Sequence, residues 1–253
     1  MKLLFIIMLW FERVCTFSKP LLFLNKNDAI KSMENKKIIT LTPGGIGGFY
    51  MLGVNTYINK HYDLNNYHFV GASAGAWNTL LYAYNKDDCE NIVDILLQSN
   101  FTAHSIYQLQ YQVKNLLLNN FKTEDFDFTN IYICVCTLTT TGIKSIFIHD
   151  ISTLEQAIDC CISSSHIPFI TGGLLHEYSE KYLFDGGMLP FPPKFIDYYF
   201  QIHCGIWGTK LKDMLTYPDN TTYFKDLYLK GYADTKENKD LLDTYFTPRN
   251  HSL

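Results

Sequence analysis

Twice in close succession, a short apolar run breaks into glycine and then resumes with helical periodicity, and this repetition constrains the fold more than any other feature of the chain. Residues 37–41 (KIITL) are β-branched and short, which predicts a buried strand. The glycine-rich stretch Pro43-Gly44-Gly45-Ile46-Gly47-Gly48 follows, and residues 49–60 then space Met51 or Leu52, Val54 or Asn55, and Ile58 for one helix face. Residues 67–70 (YHFV) predict a second strand, running into Gly71-Ala72-Ser73-Ala74-Gly75 and a helix over 76–84.

The alternation continues downstream. Helices are predicted over 90–98 and 105–118, strands over 131–138 and 144–148, and a helix over 154–161. A short strand at 182–184 ends in Asp185-Gly186-Gly187, a strand is predicted over 198–207, and helices over 223–230 and 236–245 close the chain. Residues 25–36 are polar and read as a loop or short helix. Strands alternating with helices indicate an α/β fold with a largely parallel central sheet and helices on both faces.

Composition bounds the function classes. A chain of 253 residues with 47% apolar and 18% charged residues suits a single globular core. A net charge of −4 without a dense basic run argues against a nucleic-acid partner, because phosphate binding needs clustered Lys and Arg. The 7 cysteines show no zinc-finger spacing and read as buried free thiols. His104, His149, His166 and His176 likewise lack metal-ligand spacing. Residues 1–20 form an apolar N-terminal segment whose apolar run, Leu3 to Phe11, is too short to span a bilayer as a helix. A signal-peptide core, a membrane-surface anchor and a packing helix all remain open for it. The N-x-[ST] matches at Asn100, Asn220 and Asn250 add little.

Three short motifs carry chemistry. Gly71 to Gly75 is a G-x-S-x-G sequence between a strand and a helix, the context of a nucleophile elbow, where bulky neighbours of Ser73 would clash. Alone it is weak, since a chain of this length shows one by chance about one time in ten. The loop from Pro43 to Gly48 offers backbone N–H groups to a phosphate or to a developing oxyanion, and both readings stay open. It lacks the lysine of a nucleotide loop, and Pro43 occupies the first position of the dinucleotide pattern. Asp185-Gly186-Gly187, taken alone, is a turn.

The order of the three is more specific than any one. Glycine loop, serine elbow, then aspartate resembles the patatin-like phospholipase family over roughly residues 36 to 210. The resemblance implies a three-layer α/β/α sandwich, a catalytic domain over 36–250, and a Ser–Asp dyad without a catalytic histidine. It makes Ser73 the nucleophile, Asp185 its partner in D-G-[GA], and Gly44, Gly45, Ile46 and Gly47 the oxyanion hole. Gly71, Gly75, Gly186 and Gly187 complete the motifs, and the chemistry implied requires no metal or cofactor. The implied substrate is a lipid ester met at a membrane or lipid-droplet surface, by a cytoplasmic, peripheral or secreted protein.

Finer similarity points to the adiponutrin-like branch, through the stretch from Gly48 to Val54 with its further Gly53, the segment 160–169 (CCISSSHIPF), and Lys230-Gly231-Tyr232-Ala233-Asp234. Two positions depart from the family pattern. Pro43 replaces the first loop glycine, and Gly47 stands where many members carry Arg or Lys. Three rival readings remain: a Ser-Asp-His triad using His203, an inert lipid-binding protein, and an acyltransferase built on the same residues.

Overall fold

The computed structural model describes residues 21–85, 89–99, 101–208 and 222–249. The N-terminal segment 1–20 and the asparagines Asn100, Asn220 and Asn250 lie outside the described residues.

The strands are β1 (Leu22–Leu24), β2 (Lys37–Leu41), β3 (Tyr67–Ala72), β4 (Ile131–Thr139), β5 (Gly142–His149), β6 (His176–Tyr178), β7 (Lys181–Phe184) and β8 (Phe200–Ile202). The helices are α1 (Lys26–Met33), α2 (Gly48–His61), α3 (Ala74–Ala83), α4 (Glu90–Gln98), α5 (Ile106–Asn120), α6 (Leu154–Ser164), α7 (Thr222–Glu237) and α8 (Lys239–Tyr245). They assemble an α/β fold on a sheet ordered β1-β5-β4-β3-β2-β8. Its centre, β4-β3-β2-β8, is parallel, while β1, β5, β6 and β7 join antiparallel.

Alternating side chains divide the core between the two faces of the sheet, as a period of two demands. Ile39, Leu41, Phe69, Ile131, Ile133 and Val135 point into the larger core, which is closed by α2 through α8. Ile38, Val70, Ala72, Tyr132 and Cys134 point the other way, onto Ala29 and Met33 of α1 and onto Ile196. Helices therefore lie on both faces, but among the described residues α1 is the one helix on the second, joined there by the 191–196 segment. Asn25 caps α1, its Oδ1 accepting from the N–H of Asn27 at 2.9 Å and of Asp28 at 3.2 Å.

The predicted strand over 198–207 is confined to Phe200–Ile202. Its partner β2 offers only Ile39 to Leu41 before the chain turns at Pro43, so the ladder ends there. Late in the chain, α7 docks backbone to backbone on α2. A Cβ on Gly53 would fall 2.1 Å from the Tyr228 carbonyl oxygen, and one on Gly231 would fall 2.0 Å from that of Tyr50. The Tyr50 hydroxyl donates to Asp234 Oδ2 at 2.7 Å across the same contact.

Candidate active site

The strand β3 ends where α3 begins, and Ser73 is the single residue between them. Its backbone has φ 53° and ψ −122°, a strained conformation for a residue with a Cβ and the one a sharp strand-to-helix elbow needs. The turn is tight enough that a Cβ on Gly75 would sit 2.0 Å from the Leu41 carbonyl oxygen. Ser73 is buried, its carbonyl accepts from Ala76 and Trp77, and the N–H of Ala74 finds no acceptor among the described residues. That N–H is an unpaired first-turn donor beside the hydroxyl.

Sheet register brings Asp185 to the same place. The parallel ladder of β3 on β4 stops at Ala72 opposite Cys134. Since β5 occupies the other edge of β4, β7 runs in antiparallel on the vacated edge, with Phe184 opposite Cys136. Ser73 and Asp185 are thus the residues that leave two strands meeting end to end. Asp185 is 5% exposed, and its Oδ1 accepts from the Gly187 N–H at 2.7 Å. Burial raises the Asp185 pKa above the usual carboxylate range, while the Ser73 hydroxyl and the Gly187 N–H pull it partly back. Oδ2 makes no hydrogen bond of good geometry, so the Ser73 hydroxyl lies near enough to act on the carboxylate but is not locked onto it. Such contacts are often loose until substrate binds.

One residue outside the three motifs, within the 160–169 segment, ties these pieces together. Ser164, the last residue of α6, accepts from the Ser73 N–H at 2.8 Å and donates to the Cys134 carbonyl at 2.6 Å. Its own carbonyl accepts from the Gly186 N–H at 2.9 Å, and the His166 carbonyl accepts from the Asp185 N–H at 2.7 Å. The elbow and the aspartate turn are therefore fastened to a common anchor. Its one sequence signal is three serines in a row closing an apolar helix.

The glycine loop lies across the site. Gly45 adopts φ 53° with open space around its Cα, and Gly45 and Ile46 line the cavity described below. The N–H of Gly47 donates to the Gly44 carbonyl at 3.0 Å, and the Gly48 N–H turns to the carbonyls of Gly45 and Ile46. Among the described residues this leaves Gly44, Gly45 and Ile46 as unpaired donors in the loop, whereas Gly47, grouped with them by the resemblance, has its N–H committed to the turn. Gly44 backs onto Cys204, whose Sγ lies 2.3 Å from where its Cβ would be. Pro43, the departure from the family pattern, packs its ring on Gly187, with Cγ 2.6 Å from a Cβ built there. The proline therefore joins the glycine loop to the aspartate turn.

An apolar cavity of about 990 Å³, counting its open mouth, runs from this point between α3, α4 and α5. Ser73, Ala74 and Trp77 lie at one end, and Leu81, Ile92, Leu96 and Leu117 continue the wall. From Ser73 to Leu81 the helix rises roughly 12 Å, enough for roughly ten carbons of an extended chain.

A family model, that of patatin-like phospholipase, matches residues 40–193. The chain belongs to the patatin-like phospholipase family. No curated protein matches it significantly. The matched stretch of this patatin-like chain contains the glycine loop, the elbow and the aspartate turn, and the domain supports lipid acyl hydrolase activity in general. Among the described residues no imidazole completes a triad. His203 lies just past β8, exposed, with Nδ1 accepting from the Gly205 N–H at 3.2 Å. The groups acting on Asp185 are the Ser73 hydroxyl and the Gly187 N–H, with no imidazole among them. The rings of His166 and His176 instead stack on each other at 5.3 Å.

Six cysteines are free and buried among the described residues. Burial raises the thiol pKa of Cys134, Cys136, Cys160, Cys161 and Cys204, which makes them packing groups rather than nucleophiles. Among the described residues no group of His, Cys, Asp and Glu side chains could hold a metal ion.

Proposed function

We propose that this patatin-like protein is a serine lipid acyl hydrolase working through Ser73 and Asp185. The observation that carries the reading is the meeting of one buried hydroxyl and one buried carboxylate at the mouth of an apolar cavity. Asp185 accepts the Ser73 proton as Oγ attacks an ester carbonyl, giving a tetrahedral intermediate. The carbonyl oxygen, now negative, takes hydrogen bonds from Gly45 and Ile46, and from Ala74 across the elbow; each such donor is worth about 3 kcal/mol. Collapse of the intermediate expels the alkoxide, which takes the proton back from Asp185. Water then attacks the acyl-serine, giving its proton to Asp185, and the fatty acid leaves as Ser73 is restored. Desolvation makes Asp185 a stronger base than an ordinary carboxylate, which this route needs.

The acyl chain occupies the cavity along α3, with the head group outside. From the cavity-lining Ile167 onward, Ile167, Phe169, Ile170, Leu174 and Leu175 are exposed in a stretch without a charged residue. That supports docking on a membrane or lipid-droplet surface, with residues 1–20 as a second contact, and a peripheral-membrane location. No helix among the described residues is long and apolar enough to cross a membrane. The reciprocal packing of Gly53 and Gly231, with the Tyr50–Asp234 hydrogen bond, joins two of the stretches that resemble the adiponutrin-like branch, and we place the chain nearest to it.

A fluorophosphonate probe tests the reading. Wild type should label, Ser73→Ala should not, and Asp185→Asn should label far more slowly; a panel of phospholipid and glyceride esters then defines the head group. Equal labelling of wild type and Ser73→Ala would overturn the assignment of the nucleophile, and a wild type that does not label would favour a lipid-binding role.

A further inference from the structure

One polar side chain in the cavity wall has nothing to bind. Asn78 donates to the carbonyls of Gly48 and Ala74 and accepts from Asn55. Ser165 accepts from Trp77, and Thr171 bonds to Ile167 and Ser165. Gln110, on α5 among Ile106, Leu109 and Val113, makes no side-chain hydrogen bond among the described residues. It is 5% exposed, it lines the cavity, and its Oε1 is sealed from solvent without a donor. Burying an unpaired carboxamide is unfavourable, and an apolar wall needs none. The amide turns easily about its terminal bond, so it can offer the cavity either one acceptor or two donors.

Its depth follows from helix register. α5 runs antiparallel to α6, with Lys114 paired to Asp159 at 2.6 Å and Thr123, just past α5, bonded to Leu154. Gln110 lies about 6 Å back along α5 from Lys114, and Ser164 about 7.5 Å onward from Asp159, in the same direction. Gln110 thus stands at the level of Ser164, which holds the Ser73 backbone. Leu117, on the same cavity wall, is about 10 Å farther along α5.

We propose that Gln110 is a specificity residue for an acyl chain that carries a hydroxyl or carbonyl oxygen near its carboxyl end. The inference rests on the cavity being the acyl site of the proposed hydrolase. A chain bearing such an oxygen pairs the amide, while a plain chain of equal length leaves it unpaired. A site built to hydrogen-bond its ligand discriminates against the analogue lacking that group.

The test separates binding from turnover. In Ser73→Ala protein, displacement of a fluorescent fatty acid by 3-hydroxypalmitic acid should be about tenfold tighter than by palmitic or 12-hydroxypalmitic acid. Adding Gln110→Met, close to it in size, should bring that ratio to about one and raise Tm by relieving an orphaned amide. Equal displacement by palmitic and 3-hydroxypalmitic acid, or a preference that survives Gln110→Met, overturns the proposal. In protein with Ser73 intact, nitrophenyl esters of the same acids should show the same ratio in kcat/KM. Absence of turnover with all of them would refute the hydrolase reading alone, because the displacement result stands apart from it.

Discussion

Replacing Ser164 by Ala removes one hydroxyl group and disconnects the site from its anchor. The hydroxyl accepts from Ser73 at 2.8 Å and donates to Cys134 at 2.6 Å, and both partners are buried. Each buried partner left without its bond costs about 1–3 kcal/mol, so the variant should lose about 2–6 kcal/mol. In a chain of this size that lowers Tm by roughly 4–24 °C. The effect should not stop at stability, because Ser73 holds a positive φ of 53° that is unfavourable for a residue with a Cβ. With its N–H released, the elbow can relax and carry the hydroxyl away from Asp185. The rate of fluorophosphonate labelling, measured well below the lowered Tm, should fall about tenfold or more. The Gly186 bond to the Ser164 carbonyl survives the substitution, so the aspartate turn should stay in place. A Tm within about two degrees of wild type together with unchanged labelling would refute the anchor.

Burial raises the Asp185 pKa, so its ionised form opposes folding; the stability it contributes is full below the ordinary carboxylate pKa of about 4 and is lost as pH rises through the folded value. Asp185→Asn should therefore be more stable than wild type at pH 7 in urea titrations, with the gap closing below about pH 4, while wild-type labelling should rise with pH through a midpoint above that value. His203→Ala should label within about twofold of wild type; loss of most labelling would restore the triad. Gly75→Ala should fail to give soluble protein, because its Cβ meets the Leu41 oxygen at 2.0 Å, whereas Gly45→Ala has open space and bears only the cost of its positive φ, about 1–2 kcal/mol read by Tm.

The strand-to-helix elbow was legible because its constraints are local. An elbow demands small neighbours around Ser73, and that demand is written as G-x-S-x-G. The strand over 37–41 and the helix over 90–98 were readable for the same reason, each with its pattern contained in its own residues. What the sequence concealed depends on partners far along the chain. Ser164 stands 91 residues from Ser73, and the resemblance of its segment says nothing of which backbone it holds until α6 is laid beside the sheet. Gln110 sits in a helix of mixed polarity, and nothing local marks it as facing a cavity. The strands β1 and β6 have three residues each, too few for alternation to register. Pro43 reads as damage to the glycine loop until its ring is seen against Gly187.

The docking of α7 on α2 carries a consequence for how this protein tolerates change. The matched region ends at residue 193, yet a helix beginning at Thr222 presses its glycine against the helix that issues from the glycine loop. Any side chain larger than hydrogen at Gly231 would push α2 away and disturb the glycine loop at its head. Residues remote from the chemistry in sequence thus form part of its foundation, and variation in the C-terminal helix should be read as variation in catalytic alignment.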